Sequence, residues 1–396
     1  MKKLIWIFII ANISISCNKS ELKNDNVIKF WHFWSEPYQA KVIDSLISEF
    51  EKETNIKVEI SQLSWNNGKS KLIAAFNSGT PPDVLELGSD WVAQFSASDV
   101  LAEFPKKDIE IFTEFSTAPS YWDNKIFALP WIVDTRVLFI NTDLLNKVDA
   151  SIPNSWEELL DIAKEIQDPK NEIYGMSING PDKNRLYKKA MTYIWSAGGE
   201  WQYENLTSAE NQYALTMYKK SVNVGIVENQ RNIDRMFLHG KIGFHISGAW
   251  LLNMIKKENP TLNYQLSLIP GMNKQIGYSF AGGEYISVSK SSKNKDKAIQ
   301  FVNWLCNGKN TLEFCKKIPE GGFPADKNYF NDDFFKSNPE KMLFAEQLVN
   351  SKMTPVHPKW LEIQDVLEET FERVIYDYDN PIDALKLAKK KIAVIK

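Results

Sequence analysis

Asp134 and Arg136 set opposite charges two residues apart, just before the apolar run Val137-Leu138-Phe139-Ile140. Residues i and i+2 of a strand point the same way. The pair can face a ligand together, or it can brace the chain as an ion pair. Asp90, in Gly88-Ser89-Asp90-Trp91, has a comparable choice. It can cap the helix that follows, or it can turn its carboxylate to a ligand hydroxyl. Glu284 follows Gly282 and Gly283, and such glycines let backbone approach a bound molecule closely. The chain also has 13 Trp, 14 Tyr and 22 Phe, more than a binding surface can use, so most Phe and several Trp must be core. Trp31, Trp34, Trp65, Trp91, Trp131, Trp195, Trp250 and Trp360 instead sit at the ends of predicted elements. Flat indoles beside fixed carboxylates and a guanidinium suit a molecule with apolar C–H faces and a polar hydroxyl rim.

Catalysis asks for more than these groups. Glycoside hydrolysis needs two carboxyls at a set separation. Asp90, Asp134 and Glu284 can supply a pair, but nothing marks one as acid and another as nucleophile. There is no Gly-x-Ser-x-Gly elbow and no phosphate-binding P-loop. The histidines are His32, His239, His245 and His357, and none stands three or four residues from another, so a helical zinc pair is absent. His239 and His245 read as separate surface and strand residues. Nothing nominates a Ser-His-Asp set. No enzyme activity, cofactor or metal is expected.

The elements that position these residues follow from periodicity. Residues 27–33 form a short apolar run, a buried strand. Ser35 can cap a helix that turns Val42, Ile43, Leu46, Ile47 and Phe50 to one face. Ile56, Val58 and Ile60 alternate with Lys57 and Glu59, which is a strand period. Residues 69–77 are helical and end at Gly79, and 83–87 form the next strand. Strand–helix–strand–helix–strand predicts a parallel sheet with crossover helices. Ligands of such sheets bind at the loops leaving the strand C-termini, here Trp34-Ser35-Glu36-Pro37 and Gly88-Ser89-Asp90-Trp91. In the second half, Ser155-Trp156-Glu157-Glu158 is a capping box. Strands are expected at 174–178, 242–246 and 264–269, with helices at 183–197, 208–223 and 250–258. Helices follow at 295–305 and over most of 337–396.

Several segments in this order resemble a known family. Asp134-Thr135-Arg136, the apolar run, Asn141-Thr142-Asp143-Leu144-Leu145 and Pro153-Asn154-Ser155-Trp156-Glu157-Glu158-Leu159 look like a hinge crossing. Gly79-Thr80-Pro81-Pro82-Asp83-Val84, Trp195-Ser196-Ala197-Gly198-Gly199-Glu200, Gly240-Lys241-Ile242-Gly243-Phe244, Gly248-Ala249-Trp250 and Gly282-Gly283-Glu284-Tyr285-Ile286 follow in family order. Together they resemble the family 1 extracellular solute-binding proteins, the maltose-binding-like receptors of ABC importers.

The resemblance implies an α/β fold of two lobes, the periplasmic-binding-protein-like architecture. Each lobe is a mixed, mainly parallel sheet flanked by helices, with a hinge between lobes and a helical C-terminus. One lobe would hold residues 27–140 and 284–322, the other 141–283 and 323–396. The ligand would be a carbohydrate, an oligosaccharide above all, held by Trp34, Glu36, Trp65, Asp90, Trp91, Asp134, Arg136, Trp195, Trp250, Gly283, Glu284, Phe323 and Trp360. Phe323 has an alternative as a core anchor of its loop. The partners would be two ABC permease transmembrane subunits and a cytosolic ATPase, with the receptor a monomer. Alternatives are a receptor for a polyol, polyamine or glycerol phosphate, a carbohydrate-active enzyme, and a sensor subunit.

Met1-Lys2-Lys3 and the short apolar run after it read as an export signal over residues 1–16. Ser14-Ile15-Ser16-Cys17 resembles a lipobox, with Cys17 the lipidated residue. Residues 17–26 are polar and without periodicity, a flexible tether. The protein is then exported and anchored by lipid at the periplasmic or extracellular face. No later run approaches the ~20 apolar residues of a membrane-spanning helix. The formal net charge is −3, and no basic patch suits nucleic acid. Cys306 and Cys315 flank Asn307-Gly308 in a predicted helix–turn–helix. They can pair in an exported protein or stay as buried thiols.

Overall fold

A computed structural model describes residues 26–180 and 186–395. The expected export signal and the expected lipidation at Cys17 lie outside the described residues, as does the expected start of the helix at 183. Among the described residues, no helix is long and apolar enough to cross a membrane.

The first sheet has six strands, in the order Phe323–Pro324, Leu129–Asp134, Gly282–Val288, Val84–Gly88, Val27–His32 and Lys57–Gln62. Val27–His32 runs parallel to both Lys57–Gln62 and Val84–Gly88. The crossovers are the helices Pro37–Thr54 and Gly68–Asn77. The first of these is capped by Glu36, not by Ser35. Glu36 and Gln39 satisfy each other's backbone N–H groups, and Pro37 sits where its missing N–H costs nothing. Gly282–Val288 enters antiparallel between Val84–Gly88 and Leu129–Asp134. Phe30, Phe50 and Phe301 pack edge to face on one side of this sheet.

The second sheet has five strands, in the order Tyr264–Ser267, Val137–Asn141, Ile242–Ser247, Tyr174–Asn179 and Gly225–Glu228. Ile242–Ser247, Tyr174–Asn179 and Gly225–Glu228 are parallel, and Val137–Asn141 is antiparallel to its neighbours. Ser155 caps the helix Trp156–Ile166 by accepting from the Glu158 N–H, and Glu158 reaches back to the Asn154 N–H. Behind that helix, Trp156, Tyr193 and Tyr218 build a second core.

The chain crosses between sheets in very few residues. Asp134 ends a strand of the first sheet and Val137 begins one of the second, so Thr135 and Arg136 are the crossing. The expected border at 140 falls instead inside the Val137–Asn141 strand, because that apolar run pairs with Ile242–Ser247. Gly282 and Gly283 belong to the first sheet, paired with Asp134 and Val133. Just before them, Ser279–Phe280 pairs with Ser351–Lys352 in a separate two-stranded ribbon. Phe323–Pro324 also belongs to the first sheet, while the helix Pro339–Val349 packs on the second. One apolar cluster runs from Phe30 and Phe301 through Phe139, Phe237 and Phe344, so the two sheets share packing across the crossings.

The helices Lys295–Leu305 and Gly308–Lys317 form the expected helix–turn–helix. The first ends just before Asn307, whose side chain caps the second. Cys306 and Cys315 are free, buried thiols.

Candidate functional site

The crossing places Asp134 and Arg136 side by side. Arg136 Nη1 lies 3.3 Å from the Asp134 carboxylate, and both residues are half-buried. The guanidinium sits between two rings, 4.9 Å from the Phe280 centroid and 5.5 Å from the Trp250 centroid. Gly282 makes room for this group. A Cβ there would stand 2.3 Å from Asp134 Oδ1 and 3.2 Å from Arg136 Nη1. Trp250 opens the helix Trp250–Glu258 directly after the strand Ile242–Ser247. Its ring lies on Gly248, where a Cβ would fall 1.9 Å from a ring carbon.

Beside this group the two halves of the chain touch. The Tyr187 hydroxyl, on the helix Leu186–Ser196, donates to Asp90 Oδ2 at 3.1 Å. Burial, with the Asp90 charge, pushes the Tyr187 phenol well above its usual range. Asp90 therefore does not cap the helix Val92–Ala97, whose N-cap is Trp91. Lys188 lies 5.3 Å from the Phe280 ring. A second contact spans the halves farther along. Asn253 donates to the Tyr38 hydroxyl at 3.0 Å and to Glu320 at 3.4 Å, and the Lys257 ammonium sits 3.8 Å from the Tyr38 ring centroid.

Under the strand ends of the first sheet lies a set of buried titratable groups: His32, Glu86 and the inner oxygen of Glu284. Glu86 accepts from the Phe33 N–H at 2.8 Å. Burial pushes the Glu86 carboxyl up to about 8. Burial also raises Glu284, and the neighbouring Asp134 and Glu86 charges add to it. Burial lowers His32 to about 4. A protonated carboxyl donates as well as accepts, so this floor carries donors that an ionised pair would lack.

The expected residues divide by packing. Asp134, Arg136, Trp250, Gly283 and Glu284 come together at the crossing, and Asp90 joins them through Tyr187. Trp65, 43% exposed, stacks on Phe33 at 4.3 Å, and Trp91 lies 5.4 Å from Trp65. These rings flank Asp90 from the same strand end. Four other residues are in cores. Trp195 is 3% exposed among the apolar side chains of the second core. Phe323 packs on Phe330 and Phe335, so its anchoring alternative holds. Trp34 lies edge-on to Phe314. Trp360 packs against Tyr187 and lines, with Trp201, Tyr203 and His357, a separate hollow of about 270 Å³. Glu36 is exposed and spends its side chain on the helix cap.

Sequence reasoning missed Tyr187, Lys188 and Phe280, which no local motif distinguishes from core. It also missed Asp234. That residue stands eleven positions before His245, whose Nε2 lies 2.7 Å from its carboxylate. The pairing exists only because a helix folds back on its strand.

Residues 45–343 match a family described as bacterial extracellular solute-binding protein. The galactooligosaccharide-binding protein of Bacillus subtilis is 26% identical over 395 residues, covering 94% of this chain and 90% of its own. Among solved structures, the GacH receptor of Streptomyces glaucescens, solved unliganded and with acarbose, superposes with a TM-score of 0.80 at 21% identity. The match covers 92% of this chain and 96% of that one. An ABC substrate-binding protein of Listeria monocytogenes in complex with cycloalternan gives a TM-score of 0.80 at 21% identity, covering 92% and 97%. These superpositions show the two-lobe, maltose-binding-like α/β fold.

Proposed function

The chain belongs to the bacterial extracellular solute-binding proteins, and on that premise we propose that it captures a carbohydrate between its two lobes for an ABC importer. The observation that carries this reading is the group at the crossing: Arg136 held between Trp250 and Phe280, with Asp134 at 3.3 Å. Flat apolar faces alternate there with fixed polar groups, which is what a pyranose asks of a protein. The names of the relatives agree, since galactooligosaccharide, acarbose and cycloalternan are all glycans. Asp90 and Asp134 make the surface acidic and favour a neutral polyhydroxyl ligand over a phosphate. One lobe is the part built on the first sheet, and the other is the part built on the second.

Ligand acts by binding the closed form more tightly than the open one. The Tyr187–Asp90 and Asn253–Tyr38 bonds are contacts that closure makes. Two permease subunits with an ATPase would read that form; the receptor does no covalent chemistry and works as a monomer. Cys17 would carry a lipid that keeps it at the membrane surface.

The test is a calorimetric titration of the domain without residues 1–25 against mono-, galacto- and maltooligosaccharides, with inorganic phosphate and spermidine as controls. Saturable binding of a glycan, and of neither control, is expected. Binding of phosphate or spermidine alone overturns the ligand class. Slow loss of the glycan during the titration would point to an enzyme.

A further inference from the structure

Inside the second lobe, Asp234 gathers hydrogen bonds from four side chains. His245 Nε2, Gln230 Nε2 and Ser247 Oγ stand 2.7, 2.8 and 3.1 Å from Oδ1. Trp250 Nε1 donates to the other oxygen, Oδ2, at 3.1 Å. Across the imidazole, Ser177 Oγ lies 2.6 Å from His245 Nδ1. Lys189 turns positive charge toward both Asp234 and His245. The aspartate is 3% exposed and the histidine 0%.

The protons in this array have one arrangement. Burial pushes the Asp234 carboxyl up, but the His245 bond, the Lys189 charge and the Trp250 N–H more than reverse it. Burial and Lys189 hold His245 down at about 4. At neutral pH the pair is therefore carboxylate and neutral imidazole. A carboxylate only accepts, so His245 carries its proton on Nε2. Its Nδ1 is then an acceptor, and the Ser177 hydroxyl donates to it. The same residue types make a nucleophile in hydrolases. Here the serine is buried, and the second carboxylate oxygen serves an indole.

That indole is the one at the crossing. Gly248 lies beneath its ring, Arg136 stands over it at 5.5 Å, and Asp234 holds its N–H edge. We propose that Asp234 is a positioning residue: its buried carboxylate, oriented by His245, Ser247 and Gln230, fixes the Trp250 indole and through it the ligand surface at the crossing. This rests on reading Trp250 as part of that surface. An asparagine cannot replace it, since its amide NH₂ must face N–H or O–H donors on one side.

The test is a double-mutant cycle on the domain without residues 1–25, using Asp234→Asn, Trp250→Phe and both together, titrated with maltotetraose and galactotriose. Asp234→Asn should weaken binding by roughly ten-fold, the scale of a lost hydrogen bond to a charged group. In the Trp250→Phe background the same change should cost nothing further. Unchanged affinity in Asp234→Asn, or losses that simply add, overturns the proposal. The second readout needs neither ligand nor a mutant that folds: the Trp250 indole N–H resonance of ¹⁵N-tryptophan-labelled protein. It should exchange slowly with solvent in the wild type and, where Asp234→Asn folds, shift in that variant. Fast exchange, or an unmoved resonance in the folded variant, overturns the proposal. If neither probe binds the wild type, the carbohydrate reading loses support while the resonance still decides the role of Asp234.

Discussion

Arg136 shows why residue types alone do not define this site. A lysine could match its charge. Only a planar guanidinium can lie against two rings and still donate to a carboxylate, and the distances to Phe280, Trp250 and Asp134 require all three. Desolvated cation–π contacts are worth about 2 kcal/mol or more, so the group is held before ligand arrives. Gly282 is its weak point. In Gly282→Ala the new Cβ would meet the movable end of the Asp134 side chain, so the fold should survive while the ion pair is displaced. The expected outcome is a melting temperature within a few degrees of wild type and a loss of glycan affinity of about ten-fold or more. Calorimetry and thermal melting of one variant check both. Full affinity together with a large drop in melting temperature would make the pair a brace of the crossing and not a ligand contact.

At the scale of elements, the buried floor of the first sheet makes a pH prediction. Glu86 ionises near 4.5 when unfolded and at about 8 when folded. Between those values the folded protein holds a proton that the unfolded chain has lost. Stability therefore falls as pH rises through that window, and the full cost stands above it. Glutamine cannot ionise, so the melting temperature of Glu86→Gln minus that of wild type should grow from pH 6 to pH 9. Glu284 shifts in the same direction, so the variant removes only part of the effect; a difference independent of pH contradicts the reading. Much of this scaffold was legible in the sequence, because alternation at Ile56, Val58 and Ile60 and the helical phase of Ile43, Leu46 and Phe50 report burial directly. The strand Gly225–Glu228 was not, since four residues that begin with a glycine carry no usable period. Nor was the core placement of Trp195: the sequence shows an indole near a Gly-Gly turn, while the helix phase turns it inward. Side chains that meet only through tertiary structure, such as Tyr187 with Asp90, leave no local mark.

For the whole molecule, side-chain hydrogen bonds join the lobes beside the apolar cluster that the sheets share across the crossings. Tyr187–Asp90 lies beside the crossing and Asn253–Tyr38 lies farther along. Contacts made only on closure set affinity through the population of the closed form. Tyr187→Phe keeps the ring and removes one such bond, so it should weaken glycan binding several-fold with little change in ligand-free stability. Tighter binding in its place would mean that the hydroxyl competes with ligand for Asp90. The central claim is that a carbohydrate sits between the lobes at the crossing, and hydrogen–deuterium exchange with and without saturating oligosaccharide tests it most directly. Added protection is expected in both lobes together, over 84–91, 132–137 and 280–286 on one side and 186–190 and 245–253 on the other. Protection confined to one lobe, or centred on the separate hollow around Trp201 and Trp360, would contradict it.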